Sequence, residues 1–183
     1  MAVSACTPAP ETPLFRSTDI SGSSFGKRLA LADHHGRPRT LADFRGKVVL
    51  LFFGYTQCPD ICPTAMERFA QTMKGLGADA DKVQVLFVTL DPERDTPQIL
   101  ASYVPFFHPN FLGLTGTLAE TDAVAREFRV FYTRRQSEGG LGYTLDHWAG
   151  AYAFDPAGRL RLYIPPELNA VDIAADVRRL LKS

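Results

Sequence analysis

The feature that most constrains the fold is an uninterrupted apolar segment, Val48–Gly54, with the sequence VVLLFFG. A strand with one face in water alternates apolar and polar residues. A central strand of a parallel sheet is apolar throughout, because helices cover both of its faces. The segment is far shorter than the ~20 apolar residues that span a bilayer. It therefore predicts the central strand of an α/β protein.

Strands and helices are predicted to alternate after this strand. The spacing of apolar residues indicates an amphipathic helix over residues 63–76, and a second apolar strand covers residues 83–90. Thr96 can cap the next helix, residues 97–107, with Pro97 at its first position. The other predicted elements are a short hairpin or loop at 29–38, a helical turn at 41–46, a strand at 111–114, a helix at 118–131, a hairpin of 149–154 with 160–164, and a helix at 171–181. Three strand–helix units predict a parallel core sheet with helices on both faces.

Two of these helices have a predicted buried stripe. In the helix over residues 63–76 the stripe consists of Met66, Phe69, Met73 and Leu76. Because this stripe accounts for the methionines without a metal, we expect them in the core rather than among metal ligands. In the helix over residues 118–131 the predicted core positions are Ala123, Val124, Phe128 and Phe131.

Charge and composition exclude several classes of function. Twenty basic and twenty acidic residues give a formal net charge of zero, so no broad basic surface favours nucleic acid or an anionic membrane. A chain of 183 residues that is 45% apolar can bury the core of one ordinary domain. We predict a tail over residues 1–24 and a single domain over residues 25–183.

Two cysteines follow the central strand, in the segment CPDIC at residues 58–62. Two thiols can exchange electrons as a dithiol and a disulfide, or they can hold a soft metal ion. The usual redox motif has two intervening residues, whereas three place the sulfurs at i and i+4, one above the other in a helix. Cys62 lies near a predicted helix N-terminus, where the helix dipole should favour its thiolate. The spacing alone leaves both chemistries open.

The third cysteine, Cys6, ends the segment VSAC at residues 3–6. This segment resembles the lipobox at which bacterial lipoprotein precursors are cut before the cysteine is lipidated. A Pro- and Thr-rich stretch, residues 7–13, follows and would suit a linker. The pattern predicts that Cys6 carries a lipid anchor, that the lipid alone holds the domain at a membrane, and that the printed sequence begins inside a signal peptide. The alternative is an inert cysteine in a disordered tail.

The order of the predicted elements, with a dithiol after the first buried strand, describes a thioredoxin-like fold. Three separated segments are similar to motifs of the SCO/SenC family of copper-handling proteins: FGYTQCPDICP at 53–63, LDPERDTP at 90–97 and YTLDH at 143–147. The resemblance covers about residues 29–181. It implies an α/β, thioredoxin-like fold with a central mixed sheet flanked by helices and an N-terminal β-hairpin extension.

The resemblance also implies a copper site. In that family the two cysteines and a distant histidine bind copper, which carries over to Cys58, Cys62 and His147, and the acidic residue of the Asp-Pro motif, here Asp91, is associated with the site. Thiolates suit Cu(I), and thiolates with an imidazole suit Cu(II), so this set serves both oxidation states. Three protein ligands leave an open position through which the metal can pass. Trp148 is a departure at the rim of the site, since many relatives have a small polar residue there.

The function implied is that of a copper chaperone. It would deliver copper to subunit II of cytochrome c oxidase, with another copper chaperone as a candidate donor. Together with the lipobox, the resemblance places the domain on the periplasmic side of the bacterial inner membrane. Such a protein is expected to carry metal rather than to act as an enzyme with turnover.

His147 is favoured over the other three histidines largely through this resemblance. It has an acidic neighbour, Asp146, and it precedes a predicted strand that approaches the dithiol in a thioredoxin-like sheet. His34 and His35 are expected to be solvated in a turn, and His108 to have a packing or surface role.

Two other functions would share the fold. In an extracytoplasmic thiol:disulfide oxidoreductase, Cys58 would attack and Cys62 would resolve the mixed disulfide. Such proteins usually carry a cis-proline before the strand that faces the dithiol, and residues 142–154 contain no proline. A peroxidase would need an arginine beside a cysteine of low pKa, and the spacing of Arg68 and Arg94 does not demand that contact. Copper transfer is therefore preferred, with thiol redox chemistry as its condition.

Overall fold

The structure is a computed structural model that describes residues 14–136 and 142–183. Cys6 and the lipobox-like segment that it ends lie outside the described residues. No helix in the part of the chain that is described is long and apolar enough to cross a membrane.

Ten strands and four α-helices form within the described residues. The strands are β1 Thr18–Asp19, β2 Ala30–Asp33, β3 Pro38–Thr40, β4 Val48–Gly54, β5 Val83–Thr89, β6 Leu112–Thr115, β7 Tyr132–Gln136, β8 Tyr143–His147, β9 Ala151–Phe154 and β10 Leu160–Ile164. The α-helices are α1 Ile61–Leu76, α2 Pro97–Phe107, α3 Leu118–Glu127 and α4 Ala170–Leu180, and 3₁₀ turns cover Leu41–Phe44 and Gly77–Lys82.

Eight of the strands form one mixed sheet in the order β1-β10-β9-β4-β5-β6-β2-β3. Strands β4, β5 and β6 are parallel, and the other pairs in this sheet are antiparallel. The apolar segment from which the fold was inferred is β4, which lies between β5 and β9 with every residue buried. The predicted central strand and mixed sheet are confirmed.

The predicted N-terminal hairpin consists of β2 and β3. It is joined to the main sheet because β2 pairs with β6, Ala32 opposite Thr115 and Asp33 opposite Leu114. The extension therefore completes one edge of the sheet.

Helices cover both faces of the sheet, as predicted. Adjacent residues of a strand point to opposite faces. Phe52 packs edge to face against Phe69 of α1, with ring centroids 6.1 Å apart, whereas Phe53 packs against Phe128, which follows α3, at 5.4 Å. Met66 and Met73 are buried on the stripe of α1, which confirms their expected place in the core.

The end of α3 differs from the prediction. The helix stops at Glu127, and Arg129 takes a left-handed conformation with φ 55°. Phe131 therefore lies in extended chain before β7, and its side chain is 83% exposed rather than buried. Ala123 is also exposed, because the buried face of the helix is formed by residues at spacings of three and four. That face consists of Thr121, Val124, Ala125 and Phe128.

The predicted solvation of His34 is wrong. The turn after β2 folds against β6, so that His34 is only 7% exposed and its Nδ1 atom accepts a hydrogen bond from the Gly113 N–H at 3.0 Å. His35 is exposed, as expected. His108 stacks on Phe111 at 5.0 Å between ring centroids, in agreement with a packing role.

The packed part of the chain begins before the predicted boundary at residue 25. Phe15 is buried, and the backbone N–H groups of Arg16 and Ser17 donate to the Asp176 carboxylate at 2.8 and 2.7 Å. Thr18–Asp19 then pairs with β10. Residues 15–20 are therefore attached to the domain by a buried ring and by backbone hydrogen bonds.

Candidate metal centre

The dithiol lies where the central strand meets a helix. Strand β4 ends at Gly54, and α1 begins at Ile61, so that Cys62 occupies the first turn of the helix and Cys58 the loop before it. Cys62 is 0% exposed and Cys58 is 9% exposed. Both thiols are free. Both cysteines are thus buried, and Cys58 alone keeps a small exposed fraction.

Gly54 is needed for this arrangement, although the sequence analysis assigned it no role. A Cβ atom built on Gly54 would lie 2.6 Å from the Cys62 Sγ atom and 2.9 Å from the Phe52 ring. Real Cβ contacts are not this short, so a larger residue would displace the sulfur. The available signal was a glycine that interrupts a run of bulky residues just before the cysteines.

Buried Asp95 holds the loop that carries Cys58. Its carboxylate accepts hydrogen bonds from the backbone N–H of Thr56 at 3.0 Å and from the Thr56 hydroxyl at 2.6 Å. The Thr89 hydroxyl, at the end of β5, donates to the same carboxylate at 2.6 Å. Burial raises the pKa of Asp95 even though these hydrogen bonds oppose the shift. The second aspartate of the DPERD segment therefore ties the cysteine loop to the neighbouring strand.

His147 reaches the dithiol from another part of the fold. It is the last residue of β8, and its Nε2 atom lies 3.3 Å from the Cys62 Sγ atom. Its Nδ1 atom lies 2.9 Å from the backbone carbonyl oxygen of Trp148. Because a carbonyl oxygen only accepts, Nδ1 carries the hydrogen and Nε2 is the nitrogen that faces the sulfurs. The rings of Tyr55 and Phe52 pack against the imidazole edge to face, with centroids 5.7 and 6.4 Å away.

The three predicted ligands are brought together. The Sγ atoms of Cys58 and Cys62 and a ring nitrogen of His147 all lie within 4.8 Å of one another, a group that could hold a metal ion. The third member lies 85 residues after Cys62 in the sequence. Two sulfurs and one imidazole nitrogen form a donor set that suits a soft transition metal such as copper.

The two thiols have different protonation behaviour. The pKa of Cys58 falls to about 3, chiefly because its thiolate accepts a hydrogen bond from the Cys62 thiol. Burial opposes this shift, whereas the His147 ring and the backbone N–H groups at the start of α1 add to it. One of these is the Cys62 N–H, which lies 3.5 Å from the Cys58 Sγ atom. The pKa of Cys62 is raised by its hydrogen bond to the Cys58 thiolate and by burial.

The dipole of α1 was expected to favour the thiolate of Cys62, and that expectation is wrong. The side chain of Cys58, not that of Cys62, lies against the N–H groups of the first turn, so Cys58 receives the stabilisation. Cys62 has its own sulfur buried against the end of β4 and keeps its proton.

Asp91 lies beside the site but is not a member of the ligand group. It is buried, its Oδ1 atom accepts a hydrogen bond from the Tyr143 hydroxyl at 2.7 Å, and its other oxygen accepts one from the Arg94 Nε atom. Tyr143 is the first residue of β8, the strand that ends at His147. Asp91 is thus connected to the histidine through the strand rather than through the metal position.

A cleft of about 490 Å³ opens onto the site. Cys58 and His147 line the cleft, and Cys62 does not. The rest of the lining consists of Tyr55, Pro59, Asp60, Ile61, Thr144, Leu145 and Asp146. A metal ion held by the group would therefore be reached from the side of Cys58 and His147.

The arginines considered for a peroxidase have other partners. Arg94 donates to Asp91, to the Gln57 side chain at 3.1 Å and to the backbone carbonyl of Tyr143 at 2.8 Å. Arg68 donates to the backbone carbonyl of Pro166. Among the described contacts, neither arginine forms a hydrogen bond to a cysteine.

The cis-proline that is usual in thiol:disulfide oxidoreductases is not found among the described residues either. Over residues 14–136 and 142–183 no peptide bond is cis.

Comparisons with known sequences and structures all identify relatives from one family. Residues 17–182 match the family described as SCO1/SenC. The chain is 43% identical over 153 residues to the mitochondrial protein SCO2 homolog of Bos taurus, which covers 82% of this chain and 58% of the relative. The structure of Bradyrhizobium japonicum ScoI with copper bound is similar with a TM-score of 0.78 and 37% identity, over 85% of this chain and 99% of that one.

A third relative is the apo Sco1 protein from Thermus thermophilus, whose solution structure is similar with a TM-score of 0.78 and 38% identity. The similarity covers 91% of this chain and 96% of that one. The chain spans less than two thirds of the length of its first curated relatives, 57% to 60% of the SCO2 homologs from cattle, mouse and human.

Proposed function

Because this chain belongs to the SCO1/SenC family, we propose that it is a copper carrier that delivers its metal to subunit II of cytochrome c oxidase. Cys58, Cys62 and His147 would hold the copper as cargo. The observation that carries the proposal is the convergence of two sulfurs and one ring nitrogen within 4.8 Å.

This ligand set supports two oxidation states. Two thiolates alone can hold Cu(I), whereas Cu(II) is better satisfied when the imidazole nitrogen joins them. Three protein ligands leave a fourth position, and the cleft beside Cys58 and His147 gives a partner access to it. We therefore expect the carrier to accept either ion and to release it towards the cleft.

Thiol redox state would control binding. Cys58 is already a thiolate at neutral pH because its pKa is about 3, so only the Cys62 proton must leave when the metal binds. A disulfide between the two sulfurs has no thiolate to offer. Oxidation of the pair should therefore abolish copper binding.

The location proposed is the periplasmic side of a bacterial inner membrane. The support comes from the lipobox-like VSAC segment, in which Cys6 would carry the lipid and residues 7–13 would form the linker. Another copper chaperone would supply the metal on that side. Metabolic labelling with a radioactive fatty acid tests the anchor, and incorporation that persists in Cys6→Ser would overturn it.

A metal titration tests the central proposal. The reduced chain, in a Cys6→Ser background so that only two thiols remain, is titrated with Cu(II) and with Cu(I) buffered by a competing chelator. We expect one copper per chain, a thiolate-to-Cu(II) charge-transfer absorption, and loss of both in Cys58→Ser. His147→Ala should weaken Cu(II) binding more than Cu(I) binding.

His35→Ala is the matched control, because it removes an exposed histidine away from the site. It should bind copper as the parent does. Equal copper uptake by the dithiol and disulfide forms, or binding unchanged in Cys58→Ser and His147→Ala, would end the copper-carrier proposal.

The asymmetry of the thiols favours thiol:disulfide exchange as a second candidate function. Cys58 has the lowered pKa and lines the cleft, whereas Cys62 is protonated and does not reach the cleft. Cys58 would attack a partner disulfide and expel one partner thiolate. Cys62, after losing its proton, would then attack the mixed disulfide, so that the partner gains two electrons and the pair becomes a disulfide. Cys62→Ser should trap the mixed disulfide with a disulfide-bonded peptide, and failure to trap it would argue against this function.

A further inference from the structure

The strand that carries His147 is not part of the main sheet. Within residues 14–136 and 142–183, β8 pairs only with β7, from Tyr132 opposite His147 to Gln136 opposite Tyr143. Backbone hydrogen bonds of the eight-stranded sheet therefore do not hold the histidine over the dithiol. Its position depends instead on contacts between this hairpin and the rest of the domain and on the short connection from His147 to β9, which begins at Ala151.

Two of these contacts lie at the start of β8. The Tyr143 hydroxyl donates to the Asp91 Oδ1 atom at 2.7 Å, and the Arg94 Nη1 atom donates to the Tyr143 backbone carbonyl at 2.8 Å. Arg94 also pairs with Asp91. One strand residue is thus held by its hydroxyl and by its carbonyl, and both partners come from the loop after β5.

The Tyr143 ring is enclosed as well. The guanidinium carbon of Arg94 lies 3.7 Å from the ring centroid, and that of Arg134 in β7 lies 3.9 Å from it. Arg134 in turn pairs with Glu93. Cation–π contacts of this kind add to the hydrogen bonds. We refer to Asp91, Arg94, Arg134 and Tyr143 as the tyrosine latch.

The latch and the ligand lie at opposite ends of one strand. Tyr143 is the first residue of β8 and His147 the last. A strand rises about 3.3 Å per residue, so the latch acts on the histidine from a distance of roughly 13 Å. If Tyr143 is held in place, the strand limits where His147 can lie. If Tyr143 is released, the whole strand can shift and His147 shifts with it.

We propose that the tyrosine latch positions the hairpin so that the Nε2 atom of His147 faces the dithiol. The expected effect on copper binding rests on the proposed copper-carrier function, whereas the placement of the hairpin by the latch does not. Asp91 and Arg94 are positioning residues that do not touch the metal. Because two thiolates can hold Cu(I) without the imidazole, a loosened latch weakens Cu(II) binding and leaves Cu(I) binding nearly unchanged.

Amide hydrogen exchange on the copper-free protein tests the structural part. Tyr143→Phe removes only the hydroxyl and should speed exchange of the β7 and β8 amides about tenfold, the effect expected for one hydrogen bond to a charged group. Asp91→Asn should act in the same direction. The double variant should show less than the sum of the two single effects, because both changes act on the same hydrogen bond.

Tyr152→Phe is the matched control. Tyr152 lies in β9 of the main sheet, and its hydroxyl donates to the Phe128 carbonyl at 2.7 Å, the same length as the bond in the latch. Its loss should leave exchange in β7 and β8 as in the parent. Equal exchange of the hairpin amides in Tyr143→Phe, Asp91→Asn and the parent would overturn the latch.

Copper binding tests the consequence. Tyr143→Phe should lower Cu(II) affinity about tenfold, in step with the loosened hairpin, and should weaken the nitrogen coupling in the Cu(II) electron paramagnetic resonance spectrum. Cu(I) affinity should change by less than about twofold. Faster hairpin exchange with unchanged Cu(II) affinity and nitrogen coupling would overturn the positioning role. If the parent binds no copper, the proposed function fails, and the exchange experiment alone decides the latch.

Discussion

The two halves of the candidate site are held in different ways. Cys58 lies in the loop after β4, the fully buried strand at the centre of the main sheet, and Cys62 lies in the first turn of α1, whose apolar face packs on that sheet. His147 lies on a two-stranded hairpin outside the sheet, and that hairpin is held by the buried side chain of Leu145 and by contacts of polar and charged side chains. The thiolate half is part of the hydrophobic core, and the imidazole half is attached to it.

The difference suggests how a carrier can both hold and release a metal ion. Core packing is dense and gives the sulfurs one arrangement. Within β7 and β8 one side chain, Leu145, is buried, so the hairpin can move at a smaller free-energy cost than the core strands, because local stability follows the density of buried apolar contacts. Opening of the hairpin would remove the nitrogen from the ion and leave the two sulfurs in place.

The largest effect is expected from a change in the core under the dithiol. Phe69→Ala in α1 removes a fully buried ring that packs on Phe52, and it should lower the free energy of unfolding by about 3–5 kcal/mol. Phe131→Ala, next to the hairpin, removes a ring that is 83% exposed and should change the free energy of unfolding by less than about 0.5 kcal/mol. Urea unfolding of both variants measures the contrast. Similar losses in the two would contradict the division into a core half and an attached half.

A smaller effect is expected from a methyl group at the end of β4. Gly54→Ala should lower the free energy of unfolding by about 1–3 kcal/mol through overpacking. It should also weaken the binding of Cu(I) and Cu(II) alike, because it displaces the Cys62 sulfur. Chemical unfolding and chelator competition measure the two effects.

Gly75→Ala is the control for that change. Gly75 lies within α1, and a Cβ atom there would be 4.0 Å from the Ala174 Cβ atom, an ordinary contact. Alanine favours the helix over glycine by roughly 0.5–1 kcal/mol, so this variant should be as stable as the parent or more so. Destabilisation by Gly75→Ala equal to that of Gly54→Ala would count against the steric explanation.

The comparison extends to pH, because His34 is buried in the turn after β2, against β6 of the main sheet. Burial, together with the charge of His35, lowers the pKa of His34 below its usual 6.5, although Asp33 opposes the shift. Just below pH 6.5, His34 therefore binds a proton in the unfolded chain but stays neutral in the folded chain. This contribution to the free energy of unfolding is complete above pH 6.5 and falls as the pH drops towards the folded-state pKa.

Thermal unfolding at a series of pH values checks this prediction in His34→Gln, whose amide oxygen can still accept from the Gly113 N–H. The variant should lose part of the decline in stability below pH 6.5. His108→Gln, at a half-buried histidine elsewhere, should keep the decline of the parent. A decline in His34→Gln as steep as that of the parent would contradict the assignment.

The smallest effect is expected at the rim of the site. Trp148 stacks on Tyr163 with ring centroids 4.7 Å apart, and this contact holds the backbone carbonyl that bonds to His147 Nδ1. Trp148→Ser should lower Cu(II) affinity about threefold, or roughly 0.6 kcal/mol, and Trp148→Phe, which keeps an aromatic stack, should lower it less. Competition titration measures both. Equal affinities in the two variants would show that the stack does not steady the histidine.

Much of the core half could be predicted from local sequence. The apolar run of β4, the stripe of α1 and the capping Thr96 are patterns within a few residues of one another, and each of them is found in the structure. The end of α3 and the exposure of Phe131 were missed, because one left-handed residue, Arg129, redirects the chain. The burial of His34 was missed because it depends on pairing between β2 and β6, which are far apart in the sequence.

The attached half was less predictable. Strand β7 is mostly exposed and has the sequence YTRRQ, so no alternation of apolar residues marked it as a strand. His147 was chosen through resemblance to a family, since no local pattern distinguishes it from the other histidines. The connection from Asp91 to His147 through Tyr143 was not inferred, although the residues were in two of the motifs used.

The sequence by itself determined the central strand, the covering helix and the spacing of the two thiols, because hydrophobic periodicity and chain geometry act over a few residues. Only the tertiary structure decided which thiol is charged and which nitrogen faces it. Those properties depend on hydrogen bonds and burial between groups as far as 85 residues apart. A pKa and a ligand geometry are set by neighbours in space, and the fold alone determines which residues those are.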